Sequence, residues 1–373
     1  MHLTDLALTD FRSHREAVVR LGPGVTTFTG ANGQGKTNLV EAVAYLATLS
    51  SHRAGADQAL VRQGADKAVV RARLARGARA AVVSLEIVPG QANRAFLGRA
   101  KVKPADLLGV TRAIAFVPED LALVKGPPEG RRRYLDELAL QLRPSLAGVL
   151  ADYDRVVRQR AALLKTLAGL TGQQRRDGIG GLEVWDGQAA ALGGAITAQR
   201  LALTAQLGPL VDAAYRGLAG RGTAAVEYKA SVAATVDDAA GDVTAKLLSA
   251  MADGRAREIE RGASLYGPHR EDLALSLGGL PARGYASHGE SWSLALALRL
   301  GAFAVIRAEL DDDPILILDD VFAELDQDRR RALTGLVEGV EQVLVTAAVA
   351  DDVPEGLTDR WYTVGSGSVR PRE

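Results

Sequence analysis

The pattern of apolar and polar positions predicts an α/β framework near both ends of the chain and a helical stretch between them. Val25-Thr26-Thr27-Phe28-Thr29 reads as a strand, and Asn38-Leu39-Val40-Glu41-Ala42-Val43-Ala44-Tyr45-Leu46 as a helix. Far along the chain, Pro314-Ile315-Leu316-Ile317-Leu318 is a continuous apolar run, the mark of a strand covered on both faces within a parallel sheet. Another helix is expected over Trp292-Ser293-Leu294-Ala295-Leu296-Ala297-Leu298-Arg299-Leu300. From about Arg131 to about Ile259 the apolar residues take helical spacing, as in Leu135, Leu138 and Leu142, then Val149, Tyr153, Val156 and Val157. A glycine-rich break, Thr171-Gly172 through Gly180-Gly181, is expected to separate that arm from a second helical run around Trp185 to Leu218. The heptads are too irregular for a long coiled coil, so a hairpin-like helical subdomain is expected.

The first strand runs into Gly30-Ala31-Asn32-Gly33-Gln34-Gly35-Lys36-Thr37, which fits G-x-x-x-x-G-K-[ST], and the helix runs straight out. Glycines let successive N–H groups turn inward onto phosphate oxygens, and the helix N-terminus adds partial positive charge. Lys36 is expected to reach the β- and γ-phosphates, and the Thr37 hydroxyl to ligand Mg²⁺. A glycine-rich hairpin could match by accident, but the flanking strand and helix argue against it. A nucleoside triphosphate is therefore the expected ligand. The apolar run ends in Asp319-Asp320, at the strand end where α/β sheets place ligands. Asp319 is expected to hold the Mg²⁺ shell, and Asp320 to orient or deprotonate the attacking water. Without the glycine loop, a solvated acidic turn would be the better reading of that pair.

Lys36 and Asp319 lie 283 positions apart, far more than one such sheet requires. The expected organisation is a discontinuous ATPase head, residues 1–130 plus 264–373, with a mostly helical arm inserted over 131–263. A hydrophobic content of 47% supports a packed core. The apolar runs fall short of the ~18 residues a membrane span needs, and Met1-His2-Leu3-Thr4-Asp5 lacks a signal-peptide pattern. A cytoplasmic protein without a membrane partner is expected. There are no cysteines, and His2, His14, His52, His269 and His288 lack metal-ligand spacing. The formal net charge is zero, but residues 1–133 hold 20 Lys/Arg against 11 Asp/Glu, and residues 264–373 hold 10 against 19. The clusters Arg71, Arg73, Arg76 and Arg79; Arg99, Lys101 and Lys103; and Arg131-Arg132-Arg133 are each candidates to meet nucleic-acid phosphates. A solvated, mixed surface is the competing reading.

A third segment narrows the ATPase class. Ser287-His288-Gly289-Glu290 precedes the helix at Trp292, about thirty residues before Asp319, and resembles the signature motif of ABC-type ATPases. In that class the serine and glycine cap the γ-phosphate bound by a partner subunit. Taken alone, Ser287 and Glu290 could form an ordinary capping box. Ala323-Glu324-Leu325-Asp326 resembles the D-loop, which in this class crosses the dimer interface.

Nearly the whole chain resembles the bacterial RecF recombination mediators. The blocks, in order, are Leu8-Thr9-Asp10-Phe11-Arg12-Ser13, Gly33-Gln34-Gly35-Lys36-Thr37-Asn38 and Ser51-His52-Arg53. Phe116-Val117-Pro118-Glu119-Asp120-Leu121 and Val124-Lys125-Gly126 follow, leading to Arg131-Arg132-Arg133-Tyr134-Leu135-Asp136. Tyr266-Gly267-Pro268-His269-Arg270-Glu271-Asp272 and Leu318-Asp319-Asp320-Val321-Phe322 complete the match. The resemblance implies an ABC-type head with a short arm, ATP-driven homodimerisation on DNA and slow, DNA-stimulated hydrolysis. It further implies work with RecO and RecR proteins in loading RecA at single-strand gaps or duplex–single-strand junctions, in repair, replication-fork maintenance and the SOS response. On matching positions, Lys36 and Thr37 hold phosphate and Mg²⁺, Asp319 holds Mg²⁺, Ser287 and Gly289 reach the partner's γ-phosphate, and Arg12 and Ser13 lie near the nucleotide.

Two departures from the general ABC pattern bear on turnover. Asp320 stands where the catalytic Glu is usual, and no switch His is evident near Thr346-Ala347. Two other readings share the glycine loop: the ATPase subunit of a membrane transporter, and a P-loop kinase of a small metabolite. The first lacks so large a helical insertion, and the second needs neither a signature motif nor a dimer. Nucleotide-dependent dimerisation with DNA-stimulated hydrolysis separates them from the mediator reading.

Overall fold

A computed structural model describes residues 1–51, 53–365 and 367–372. His52, one of the residues carrying the resemblance, lies outside the described residues. In chain order the strands are β1 (His2–Phe11), β2 (His14–Arg20), β3 (Gly24–Thr29), β4 (Ala68–Arg76), β5 (Arg79–Ile87), β6 (Arg94–Leu97), β7 (Ala100–Val102), β8 (Ala113–Phe116), β9 (Ala224–Lys229), β10 (Asp272–Leu277), β11 (Leu280–Pro281), β12 (Ile315–Asp319), β13 (Gln342–Ala347), β14 (Arg360–Gly365) and β15 (Ser368–Pro371). The helices are α1 (Lys36–Thr48), α2 (Leu121–Lys125), α3 (Pro128–Leu142), α4 (Leu146–Ala168), α5 (Gly172–Ala219), α6 (Ala240–Arg261), α7 (Ala282–Tyr285), α8 (His288–Leu310) and α9 (Gln327–Val337). No helix among the described residues is long and apolar enough to cross a membrane. The chain folds as two units: Met1–Lys125 with Leu210–Ala224 and Leu277–Glu373, and Gly126–Pro209 with Ala225–Ser276.

The first unit holds two six-stranded sheets. One is antiparallel, in the order β2-β1-β4-β5-β6-β7. The other runs β15-β14-β3-β13-β12-β8 and is parallel except for the β14–β15 hairpin. On β4 the pattern alternates, with Ala68, Val70, Ala72 and Leu74 inward and Arg71 and Arg73 exposed, because one face packs and the other meets water. β12 is buried at every position, as its unbroken apolar run requires. The core joins the inner face of the antiparallel sheet to α1 through Leu6, Leu8, Leu39, Val43 and Leu46, with Ile315, Ile317 and Leu344 from the parallel sheet. α1 is thus clamped on both sides, which fixes the direction of its N-terminus.

In the second unit the expected glycine break is not where composition placed it. Gly178, Gly180 and Gly181 lie inside α5, and the chain turns earlier, between Ala168 and Gly172. Of the three, Gly178 serves packing. A Cβ on Gly178 would stand 2.5 Å from Leu167 Cδ2, so the missing side chain lets α5 approach α4. A Leu164, Leu167, Leu182 and Ile259 cluster fills that junction, and Val156, Ala189, Ala190, Val243, Leu247 and Met251 form another. In sequence between these layers sits fully buried Arg160 of α4. It donates to Asp186 of α5 at 2.7 Å, to Glu258 of α6 at 2.5 Å and to Ser264 at 2.8 Å. Such a cluster fixes the register of three helices, because a shift would strand a charge away from water.

The same unit contains a buried network around Glu271, which accepts hydrogen bonds from Thr197 at 2.8 Å, Tyr228 at 2.5 Å and Ser231 at 3.0 Å. Beside it, His269 Nδ1 meets the Tyr153 hydroxyl at 2.7 Å, while Nε2 is shielded without a hydrogen-bond partner. Burial first, and then the neighbouring Arg270 charge, push the imidazole down to about 4. The unfolded chain therefore binds a proton between about pH 4 and pH 6.5 that the folded chain does not. Stability from this group is complete above about pH 6.5 and is lost as pH falls toward 4. In urea unfolding, the change in stability from pH 7 to pH 5 should be less favourable in the wild type than in His269→Gln by roughly 1–2 kcal/mol. Equal changes in both proteins would contradict this origin.

Candidate nucleotide site

The glycine loop leaves β3 and enters α1 at Lys36 in the geometry its sequence predicts. Gly30 lies so close to β14 that a Cβ would stand 2.1 Å from the Val364 carbonyl oxygen. Gly35 has φ 104°, and a Cβ there would come within 2.7 Å of both His14 Nε2 and Ser13 Oγ. These two positions admit no other residue without moving the backbone. Ala31, Asn32, Gly33 and Gln34 form the turn between them, and Gly33 has open space around it. The nearly buried Lys36 makes two long hydrogen bonds back to the loop, 3.5 Å to the Ala31 carbonyl and 3.3 Å to Asn32 Oδ1. A phosphate oxygen would be a closer acceptor than either.

The parallel sheet brings the acidic pair to the same place. β13 lies between β3 and β12, with Thr346 level with Phe28 on one side and with Asp319 on the other. Asp319 Oδ1 accepts from Thr37 at 3.0 Å and from Thr346 at 2.5 Å. Thr346 Oγ1 in turn accepts the Asp320 N–H at 2.9 Å. Asp319 is 2% exposed, and its carboxyl is pushed up to about 6, mainly by burial and also by the adjacent Asp320. Asp320 takes the left-handed φ of 51°, uncommon for a residue with a side chain, and its Oδ1 is shielded without a hydrogen-bond partner. No group of three or more His, Asp or Glu among the described residues could hold a metal alone. Thr37 and Asp319 are two oxygen donors beside a phosphate loop, which suits Mg²⁺, a cation that keeps few protein ligands and takes the rest from phosphates and water.

Around this centre lie Arg12 and Ser13, which the resemblance implied near the nucleotide, together with Glu41 and His14, which sequence reasoning passed over. The Arg12 guanidinium is forked on Glu41 of α1, at 2.9 and 2.5 Å, and also reaches the Ala59 carbonyl at 2.9 Å. Ser13 Oγ accepts from Asn38 at 2.8 Å, which holds it at the first turn of α1. Fully buried His14 spans from the Gly35 carbonyl, 3.0 Å from Nε2, to the Gly367 carbonyl, 3.1 Å from Nδ1. The two basic residues expected near nucleotide and DNA are both engaged by carboxylates. Arg12 is engaged by Glu41, and Arg131 of the arginine triplet is buried and forked on Asp272 at 2.7 and 2.8 Å. Asp120 is likewise occupied, by Arg299 of α8 at 2.6 Å.

Ser287 and Gly289 stand at the start of α8, beside a cavity of about 350 Å³ lined by Tyr215, Arg221, Thr223, Glu290 and Arg329, and by no residue of the loop 30–37. The capping box is formed: Ser287 Oγ donates to Glu290 Oε2 at 2.7 Å and accepts the Glu290 N–H at 3.3 Å. Those bonds from Ser287 hold the Glu290 carboxyl below the usual carboxylate range.

This arrangement is that of an ABC-type ATPase head. The solved structure titled as the recombination mediator protein RecF with ATP in the RecFOR pathway superposes with a TM-score of 0.90 at 24% identity, over 100% of this chain and 98% of that one. An Smc head domain from Pyrococcus furiosus gives 0.56 at 14% identity, over 100% of this chain and 96% of that one. Curated relatives are nearer in sequence. The DNA replication and repair protein RecF of Frankia alni is 56% identical over 99% of both chains, and that of Streptomyces avermitilis is 54% identical over 99% of both. With the RecF/RecN/SMC N terminal domain profile matching residues 2–364 as well, the chain belongs to the RecF family.

The raised Asp319 carboxyl gives a test. The folded protein holds this proton more tightly than the unfolded chain, so stability falls as pH rises from about 4 to 6. Asp319→Asn keeps an oxygen for Thr37 and Thr346 but removes the charge. Without nucleotide or Mg²⁺ it should stabilise the protein at pH 7 by roughly 1–3 kcal/mol, with the difference closing at pH 4. Urea unfolding at both pH values measures it, and a destabilised variant at pH 7 would contradict the assignment.

Proposed function

We infer that this chain is an ATP-dependent, DNA-binding protein of DNA repair and replication. It acts as a slow, ATP-driven homodimer at gapped DNA and helps load RecA with RecO and RecR proteins in the cytoplasm. The observation that carries the reading is the convergence of Lys36, Thr37, Asp319 and Asp320 on one loop, in a chain 51–56% identical throughout to proteins named for replication and repair. The likeness to a RecF solved with ATP supports ATP as the nucleotide, and that protein's place in the RecFOR pathway supports the RecO and RecR partners.

In this reading the backbone N–H groups of Gly30 to Gly35 and the Lys36 ammonium hold the triphosphate. Thr37 and Asp319 hold Mg²⁺, which when bound neutralises charge on the β- and γ-phosphates. Asp319 must be ionised to ligand the cation, and the cation's charge offsets the burial that otherwise favours its proton. Asp320 carries a shielded, unpartnered oxygen and orients the attacking water. Its side chain is one methylene shorter than the usual Glu, which fits a switch that turns over slowly. Ser287 and Gly289 complete the partner's site. The Ser287 hydroxyl must leave Glu290 to face a phosphate, a short rotation at an exposed cap.

Asp320→Asn should retain Mg²⁺ and ATP and form a persistent dimer on DNA, with hydrolysis lowered by about a hundredfold or more. Single-turnover hydrolysis beside a filter-binding nucleotide assay reads both, and normal turnover would reassign the role of Asp320.

Ser287→Arg should leave ATP binding to the monomer intact and abolish both ATP-induced dimerisation and DNA-stimulated hydrolysis. Light scattering and steady-state ATPase measurements decide it. A variant that still dimerises with ATP leaves Ser287 as a helix cap and removes the composite site.

A further inference from the structure

The signature loop is tied to the D-loop by one arginine. Asp326, the last residue of Ala323-Glu324-Leu325-Asp326, caps α9 by accepting the Arg329 N–H at 2.9 Å through Oδ1. Its other oxygen, Oδ2, accepts from the Arg329 guanidinium at 2.9 Å. The carboxylate therefore holds Arg329 at both its backbone and its side chain. The same guanidinium, including the Nη1 that meets Asp326, lies over Gly289. A Cβ there would stand 2.9 Å from Arg329 Nη1 and 3.1 Å from Nη2. Arg329 also lines the cavity beside Ser287, and its charge helps hold the Glu290 carboxyl low.

We propose that Arg329 is a positioning residue that locks the signature loop to the D-loop, so that Ser287, Gly289 and Asp326 meet a partner subunit as one surface. The planar guanidinium fits both roles, because one N–H donates to a carboxylate oxygen while its flat side covers a glycine that has no side chain to displace it. Gly289 is required for this contact rather than for its backbone, since it sits in the first turn of α8 where any residue can be helical. The link transmits rather than stabilises. Arg329 and Asp326 are partly exposed, and an ion pair of that kind contributes little to folding. Its effect is to keep two loops from moving independently when a second head docks, which lowers the ordering cost of association.

This rests on the composite-site reading above, and the experiment separates the two. Arg329→Ala keeps the backbone N–H that Asp326 caps, so Tm and monomer affinity for ATP should match the wild type. ATP-induced dimerisation should weaken by about tenfold, and hydrolysis at low protein concentration should fall with it, recovering at high concentration. Arg329→Lys retains the charge without the flat guanidinium face over Gly289 and should restore only part of the dimerisation. Asp326→Asn keeps the cap through its amide oxygen but loses the ion pair. The double variant Arg329→Ala, Asp326→Asn should then be no worse than the weaker single variant. Simple additivity of the two losses, full rescue by Arg329→Lys, or wild-type dimerisation of Arg329→Ala would each overturn the positioning role. If Ser287→Arg dimerises normally, the composite site itself fails. If Ser287→Arg is dead while Arg329→Ala is unaffected, only the link fails.

Discussion

A buried carboxylate governs the nucleotide site. Asp319 sits at the end of a strand covered on both faces, and two threonine hydroxyls from neighbouring elements meet one of its oxygens. Water does not stabilise its charge there, so burial holds its proton more tightly than an exposed carboxyl would. The sheet order makes this possible. With β13 between the loop strand and the acidic strand, Thr346 stands level with Asp319 and relays its position to the Asp320 N–H. The two acidic residues are thus oriented by the same hydroxyl, one as acceptor of its proton and the other as donor to its oxygen.

Much of this was legible in the chain because the phosphate loop is a local motif. Its glycines, lysine and threonine are consecutive, and strand and helix flank them without interruption. β12 was equally plain, since five apolar residues before two acids admit few other readings. The supporting side chains were hidden because their partners come from distant segments. Glu41 looks like one polar position on a helix, yet it is buried and meets Arg12 from the turn between β1 and β2 and Ser51 from the following loop. His14 has no sequence neighbour to suggest that it joins Gly35 to Gly367. Thr346 was noticed only for the histidine missing beside it. The glycines of α5 misled for a different reason: composition reports conformational freedom, but here the missing Cβ was used for contact with Leu167.

The arm follows another rule. Its helices are held by apolar layers with charge between them, and Arg160, Asp186 and Glu258 leave one register in which every buried charge is met. Arg131 and Arg200 extend the habit, each forked on a carboxylate, Asp272 and Asp136. A run of arginines therefore says little about nucleic acid until its partners are known. Arg71 and Arg73, exposed on β4, remain open to solvent, whereas Arg131 does not.

The central place of β3 in its sheet has a consequence for synthesis. Its two neighbours are β13 and β14, and both lie more than three hundred positions downstream. During translation the phosphate-loop strand waits roughly 15–60 s for an edge to pair with. In that interval its unpaired backbone is a template for other nascent chains, a hazard that grows with loop length and non-local pairing. Nucleotide cannot rescue the early chain, because the Val364 carbonyl beside Gly30 and the Thr346 hydroxyl beside Asp319 have not yet been made. Ligand binding and sheet closure therefore mature together, late, and chaperone demand should fall on the chain while its first half is alone outside the ribosome.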